Sequence, residues 1–95
     1  MFTPGPWEYR VDPDLDDNIA GPNSEQLARV YCTDTDTGMA NARLIAAAPE
    51  MFSALVAALP LVEDAAMFMK DDFKPGYLAG IVKTMRSAIA KAEGE

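Results

Sequence analysis

Ninety-five residues with 49% apolar and 24% charged side chains describe a chain that folds around one modest core, too apolar for disorder and too short to divide in two. A net charge of −7 without a basic stripe argues against direct nucleic-acid binding, and the absence of histidine removes the commonest general base and metal ligand. Cys32 is the single cysteine, which excludes an internal disulfide.

The opening TPGPWEYRV alternates Trp7, Tyr9 and Val11 against Glu8 and Arg10, which predicts a strand from Trp7 to Val11. DPDLDDN breaks it, a brief extended piece follows at Asn18 to Ala20, and GPNSEQ is a second turn cluster. LARVYC, Leu27 to Cys32, predicts another strand with Ala28, Val30 and Cys32 opposite Leu27, Arg29 and Tyr31. Asp36 or Thr37 then caps a helix from Met39 to Ala48.

Proline is tolerated at the first position of a helix and disfavours helical geometry just before it, so Pro49 begins a second helix, with Glu50 at its positive end. Met51, Phe52, Leu55, Val56 and Leu59 share a face that continues in phase through Val62, Ala66 and Met69, which favours one helix kinked at Pro60 and reaching Lys70 over two shorter ones. After a loop at DDFKPG, Pro75 begins a last helix with the cleanest stripe in the chain: Leu78, Ile81, Val82, Met85, Ile89 and Ala92. Lys83, Arg86 and Lys91 point away from the stripe, and Gly94 suits the position just past the helix end.

No set of residues here carries recognisable chemistry. Cys32 has no histidine to activate it, the serines lie outside any nucleophile elbow, and no glycine-rich phosphate loop is present. Asp12, Asp14 and Asp16 match the first ligand positions of a calcium loop, but Asp17 replaces its glycine and Asn23 its final glutamate. The expectation is a non-enzymatic chain with no metal and no cofactor.

Two features suit recognition instead. Acidity is concentrated before residue 40, where Asp12, Asp14, Asp16, Asp17, Asp34 and Asp36 form loops able to imitate a phosphate backbone or to meet a basic partner. Of the 31 residues from Ala40 to Lys70, 22 are apolar, more than a one-sided helix needs, which points to burial on two sides or to self-association as a homodimer. The longest uncharged apolar stretch, Met51 to Val62, is short of the roughly 20 residues of a bilayer span, so no membrane segment is expected. The N-terminus has no signal-peptide pattern, which fits a reducing cytoplasm.

TPGPW at Thr3 to Trp7, followed by ANARLIAAAPE at Ala40 to Glu50, resembles a widespread group of small proteins encoded by tailed bacteriophages and prophages. The resemblance covers about sixteen residues and departs at MFSALVAALPLVEDAAMFM, where the group is more regularly leucine- and glutamate-rich. It implies a phage accessory gene acting in the host bacterial cytoplasm, with no catalytic residue to carry over. By analogy of size, charge and origin it implies an anti-defence inhibitor, an anti-CRISPR protein against an effector complex being one form.

The expected architecture is α+β: one domain over residues 1–95, in which a two- or three-stranded antiparallel meander at 6–33 packs on two to four helices at 39–93. Trp7, Tyr9 and Val11 should meet Leu44, Ile45, Phe52 and Leu55 in the core. The expected role is binding and inhibition of a host defence protein through the six aspartates. A structural or self-assembling accessory protein is the alternative, and a module binding a small defence signal the third reading.

Overall fold

The computed structural model describes residues 2–11, 17–31, 35–69 and 76–94. It is α+β, as expected: strands β1 (Glu8–Arg10), β2 (Asp17–Ala20) and β3 (Gln26–Val30), then helices α1 (Asp36–Ala46), α2 (Ala48–Phe68) and α3 (Tyr77–Ala92). The chain divides into two compact units, Met1–Met51 and Phe52–Glu95, with the boundary inside α2.

In the first unit the three strands form an antiparallel meander in the order β1-β2-β3. The brief extended piece is therefore the central strand. Tyr9 pairs with Ile19 and Ile19 with Ala28, so these three side chains share one face, together with Asp17 and Val30 in the next pair along. A turn at Gly21 to Ser24, closed by the Ser24 amide on the Gly21 carbonyl at 3.0 Å, joins β2 to β3. Ser24 takes a left-handed φ of 65°, and the register slips between Ile19 and Ala20, where Ala20 meets Gln26. That slip is a bulge, and it explains why Leu27 and Ala28 are both partly buried instead of alternating cleanly.

Helix α1 lies across this face against β1 and β2. Its N-cap is Thr35, whose Oγ1 accepts from the Gly38 amide at 3.0 Å, so the helix starts three residues earlier than the sequence suggested. The core is Ile19, Val30 and Ala42, with Trp7, Tyr9, Leu27, Ala28 and Ala46 packed around it. Three expected core residues are not there. Val11 is 70% exposed, because the strand ends at Arg10, and Leu44 and Ile45 are exposed because α1 approaches the sheet on its alanines. Small side chains permit a close helix–sheet approach that leucine and isoleucine would prop open. Phe52 and Leu55 belong to the other unit. The expected strand end at Cys32 lies outside the described residues.

The opening motif closes on itself and on the start of α2. Across Pro4, Gly5 and Pro6, the Trp7 indole N–H donates to the Thr3 carbonyl at 3.0 Å, and the Phe2 ring meets Trp7 edge-on at a centroid distance of 6.1 Å. A Cβ placed on Gly5 would lie 2.8 Å from Cβ and 3.3 Å from Cγ of Pro49, which is buried. Helix α1 ends at Ala46, two residues short of expectation. Ala47 follows it in helical geometry, and its amide bonds the Arg43 and Ile45 carbonyls. Pro49 then sits in the first turn of α2, where its missing N–H costs nothing.

The second unit contains the rest of α2 and α3. Pro60 lies inside one continuous helix, as favoured from the phase of the stripe, and deprives the Val56 carbonyl of its usual partner. The inner face of α2 runs through Phe52, Leu55, Leu59, Val62 and Ala66, all partly buried at spacings of three and four. On α3, Leu78, Ile81, Met85 and Ile89 are partly buried and Val82 is buried, while Ala92 at the helix end is exposed. Gly94, φ 87°, follows the C-cap Glu93, as its position predicted. The expected limits at Lys70 and Pro75 fall outside the described residues. Helix α3 itself starts at Tyr77 behind Gly76, whose φ is 78°.

Candidate interaction surfaces

Of the six aspartates singled out for recognition, two lie among the described residues. Asp17 is 8% exposed and sits on the α1-facing side of β2. The Tyr9 hydroxyl donates to its Oδ2 at 2.6 Å, a short charge-assisted bond between diagonal neighbours on adjacent strands. That role is internal to the sheet. Asp36 is exposed in the first turn of α1, where the helix dipole favours an acid. Asp12, Asp14, Asp16 and Asp34 lie outside the described residues, as does most of the calcium-like stretch. Among the described residues no three histidine, cysteine, aspartate or glutamate side chains converge on a common point.

The Asp17 pairing titrates. Its hydrogen bond to the Tyr9 hydroxyl, then burial, then the carboxylate's charge all push that hydroxyl above the ordinary tyrosine range, while Arg43 pulls it down. A group with a raised folded pKa adds stability below its unfolded pKa and loses it as pH climbs through the folded one. Tyr9→Phe should therefore lower the melting temperature at neutral pH and flatten its decline above about pH 10. Parallel alkaline declines in the variant and the parent would show that Tyr9 does not govern that limb.

The helical unit offers a concave surface that the sequence did not mark. Between α2 and α3 lies a groove of about 480 Å³. Its apolar lining is Ala66, Met67, Ala79 and Val82, and its polar lining is Glu63, Lys83, Arg86 and Ser87. Arg86 reaches across it to Glu63 at 3.2 Å, an exposed pair worth roughly 0–1 kcal/mol. Sequence reading placed Lys83 and Arg86 as solvent-facing. Their spacing of three, with Glu63 on the neighbouring helix, was the available signal, but it needed the pairing of the helices to become visible. Small apolar lining residues with one flexible methionine suit an apolar side chain of variable shape, and Lys83 adds a cation beside it.

Helix α2 is apolar around its whole circumference. While the face toward α3 is partly buried, Leu61 is 72% exposed, Met67 67% and Phe68 79%. The helix is 21 residues long with a mean hydropathy of 1.6, long and apolar enough to cross a bilayer, and its length exceeds the twelve-residue stretch read from the sequence. Its charges are Glu50, Glu63 and Asp64, with no lysine or arginine.

The described residues form a three-stranded meander under one helix, followed by two apolar helices with a groove between them. The chain belongs to the Salmonella phage P22 protein Y8K6 family, which it matches over residues 1–95. It is thus a phage protein, the origin that the TPGPW and ANARLIAAAPE motifs led one to expect. No curated protein and no solved structure matches the chain.

Proposed function

We propose that this phage accessory protein is non-enzymatic and acts in the host cytoplasm by binding and inhibiting a host defence protein, with a CRISPR effector complex as the first candidate. The observation that carries the reading is the α2–α3 groove, which is lined by the apolar Ala66, Met67, Ala79 and Val82 and by the charged Lys83 and Arg86. Such a surface receives a protruding apolar side chain of a partner, with a carboxylate nearby to meet Lys83. Asp12, Asp14, Asp16 and Asp34 steer the encounter with a basic partner surface, while Asp17 serves the sheet.

The test combines plaquing with capture. Phage should form more plaques on a defended host that expresses the protein, in at least one of a panel of hosts carrying different defence systems. The tagged protein should retain a component of that system, less strongly as ionic strength rises. Met67→Glu should weaken capture at least tenfold, about 1.4 kcal/mol, without changing the melting temperature. Unaltered plaquing across the panel, with no defence component captured at low salt, would sink the reading.

A further inference from the structure

The charges of the α2–α3 groove specify the chemistry of what enters it. Helix α3 carries Lys83, Arg86 and Lys91 and no acid, so every charge it brings to the groove is positive. Consecutive helices with a short connection pack antiparallel. From the ion pair of Arg86 with Glu63, α3 therefore leads back through Lys83 and Val82 to Ala79, while α2 leads on through Ala66 to Met67. One end of the groove is ionic and the other apolar. Ala79 and Arg86 are seven positions apart, two helical turns or about 10 Å.

We propose that the groove receives an acidic amphipathic helix of a partner protein, an inference that rests on the partner-binding role proposed above. Apolar side chains at positions i and i+3 of that helix meet Ala66, Met67, Ala79 and Val82, and a single glutamate or aspartate at i+7 meets Lys83 and Arg86. Those three positions share one face of a helix and span the same two turns as the groove. Two helices packed side by side leave between them the trough in which the ridge of a third helix seats.

Charge complementarity sets the acid. Among the described residues Lys83 makes no ion pair, whereas Arg86 is held by Glu63 at 3.2 Å. Two cations and one acid leave a single positive charge at the ionic end, which one carboxylate balances. A phosphate, with about −1.5 to −2 charge, would leave an excess of negative charge beside Glu63. Glu63 itself shows that Arg86 takes a carboxylate, and because both side chains are open to solvent the pair gives way to an incoming carboxylate at little cost. Glu63 is thus an internal competitor for Arg86, and it tunes how tightly the acid is held.

The apolar end selects the rest of the face. Ala66 and Ala79 leave room for branched aliphatic side chains, and Met67 adapts to their shape. A volume of about 480 Å³ also falls within the range of small-molecule sites, so a free fatty acid is the competing occupant with the same two ends.

The test is a titration of the isotope-labelled full-length protein with alanine-based helical peptides bearing leucine at i and i+3 and glutamate at i+7, followed by backbone amide NMR. Binding should be roughly submillimolar, with shifts centred on Glu63 to Met67 and Ala79 to Ser87. Replacing the peptide's glutamate by glutamine should weaken binding about fivefold, and Lys83→Gln should remove most of that difference. Glu63→Gln, which frees Arg86, should tighten the glutamate peptide about threefold and leave the glutamine peptide unchanged. Loss of a merely structural ion pair would not produce that gain. Equal binding of the glutamate and glutamine peptides overturns the proposal, and so does the absence of groove shifts with every peptide. Groove shifts on adding laurate, with none from the peptides, overturn it in favour of a fatty-acid site. The partner-binding role fails separately, on unaltered plaquing and absent capture. Capture that persists and is weakened by Met67→Glu, while the peptides do not bind, keeps that role and overturns the acidic helix.

Discussion

Ile19→Ala is expected to lower the stability of the sheet unit by about 2–5 kcal/mol. Ile19 is the one large side chain among the described residues with no exposed surface, and it occupies the central strand between Tyr9 and Ala28 under Ala42 of α1. Its removal leaves a cavity that three strands and a helix all line, and a bulged register beside it limits how far they can close in. For a domain of this size each kcal/mol is worth about 4–8 °C, so the variant should melt at least 8 °C lower. Ile19→Val should lose only about 0.5–1.5 kcal/mol. Leu44→Ala is the control, since Leu44 is 58% exposed on α1. If Ile19→Ala melted no lower than Leu44→Ala, the core would be centred elsewhere.

A second large effect is expected where two distant segments touch. Gly5→Ala adds one methyl group, and its carbon would sit 2.8 Å from Cβ of Pro49. The atom it meets belongs to a rigid ring in the first turn of a helix, so relief has to come from backbone movement, at a cost of about 1–3 kcal/mol. Gly80→Ala is the same chemical change with the opposite expected sign. Nothing lies within 4 Å of the added atom at Gly80, and alanine favours the interior of α3 by roughly 0.5–1 kcal/mol. Thermal melts of the two variants on opposite sides of the parent would support both placements. Equal melting temperatures would remove the close contact from the account of this fold.

These two sites also mark where sequence reading reached and where it stopped. The stripe on α3 was legible because sixteen residues repeat one period, and Leu78, Ile81, Val82, Met85 and Ile89 all turn inward as expected. Strand β2 was not. Four residues that begin with Asp17 and Asn18 give no alternation, and Ile19 becomes central only through pairing on both sides. For α1 the alanine-rich composition announced a helix, but hydrophobicity pointed to Leu44 and Ile45 as the buried side, whereas close approach to the sheet selected Ala42 and Ala46.

The candidate surfaces divide in the same way. All six aspartates look alike in a sequence. Asp17 is set apart by a diagonal contact with Tyr9 that depends on the β1–β2 register, which no local pattern specifies. The groove is made by side chains from two helices, and its charged lining residues read as ordinary solvated positions on each helix alone. What composition did announce was excess: more apolar residues around α2 than one neighbour covers, visible in the 22 of 31 apolar residues from Ala40 to Lys70.

The contact of Gly5 with Pro49 bears on time as well as on stability. Both strand pairings join neighbours in the chain and close through short connections, so they need little loop entropy to form. The Gly5 contact joins the first motif to the second across the whole meander, and it is expected to form after the rate-limiting step. An interaction made that late acts as a latch. Loosening it would leave the folding rate nearly unchanged and shorten the lifetime of the folded state, so the residues that close this corner govern how long each molecule resists proteolysis.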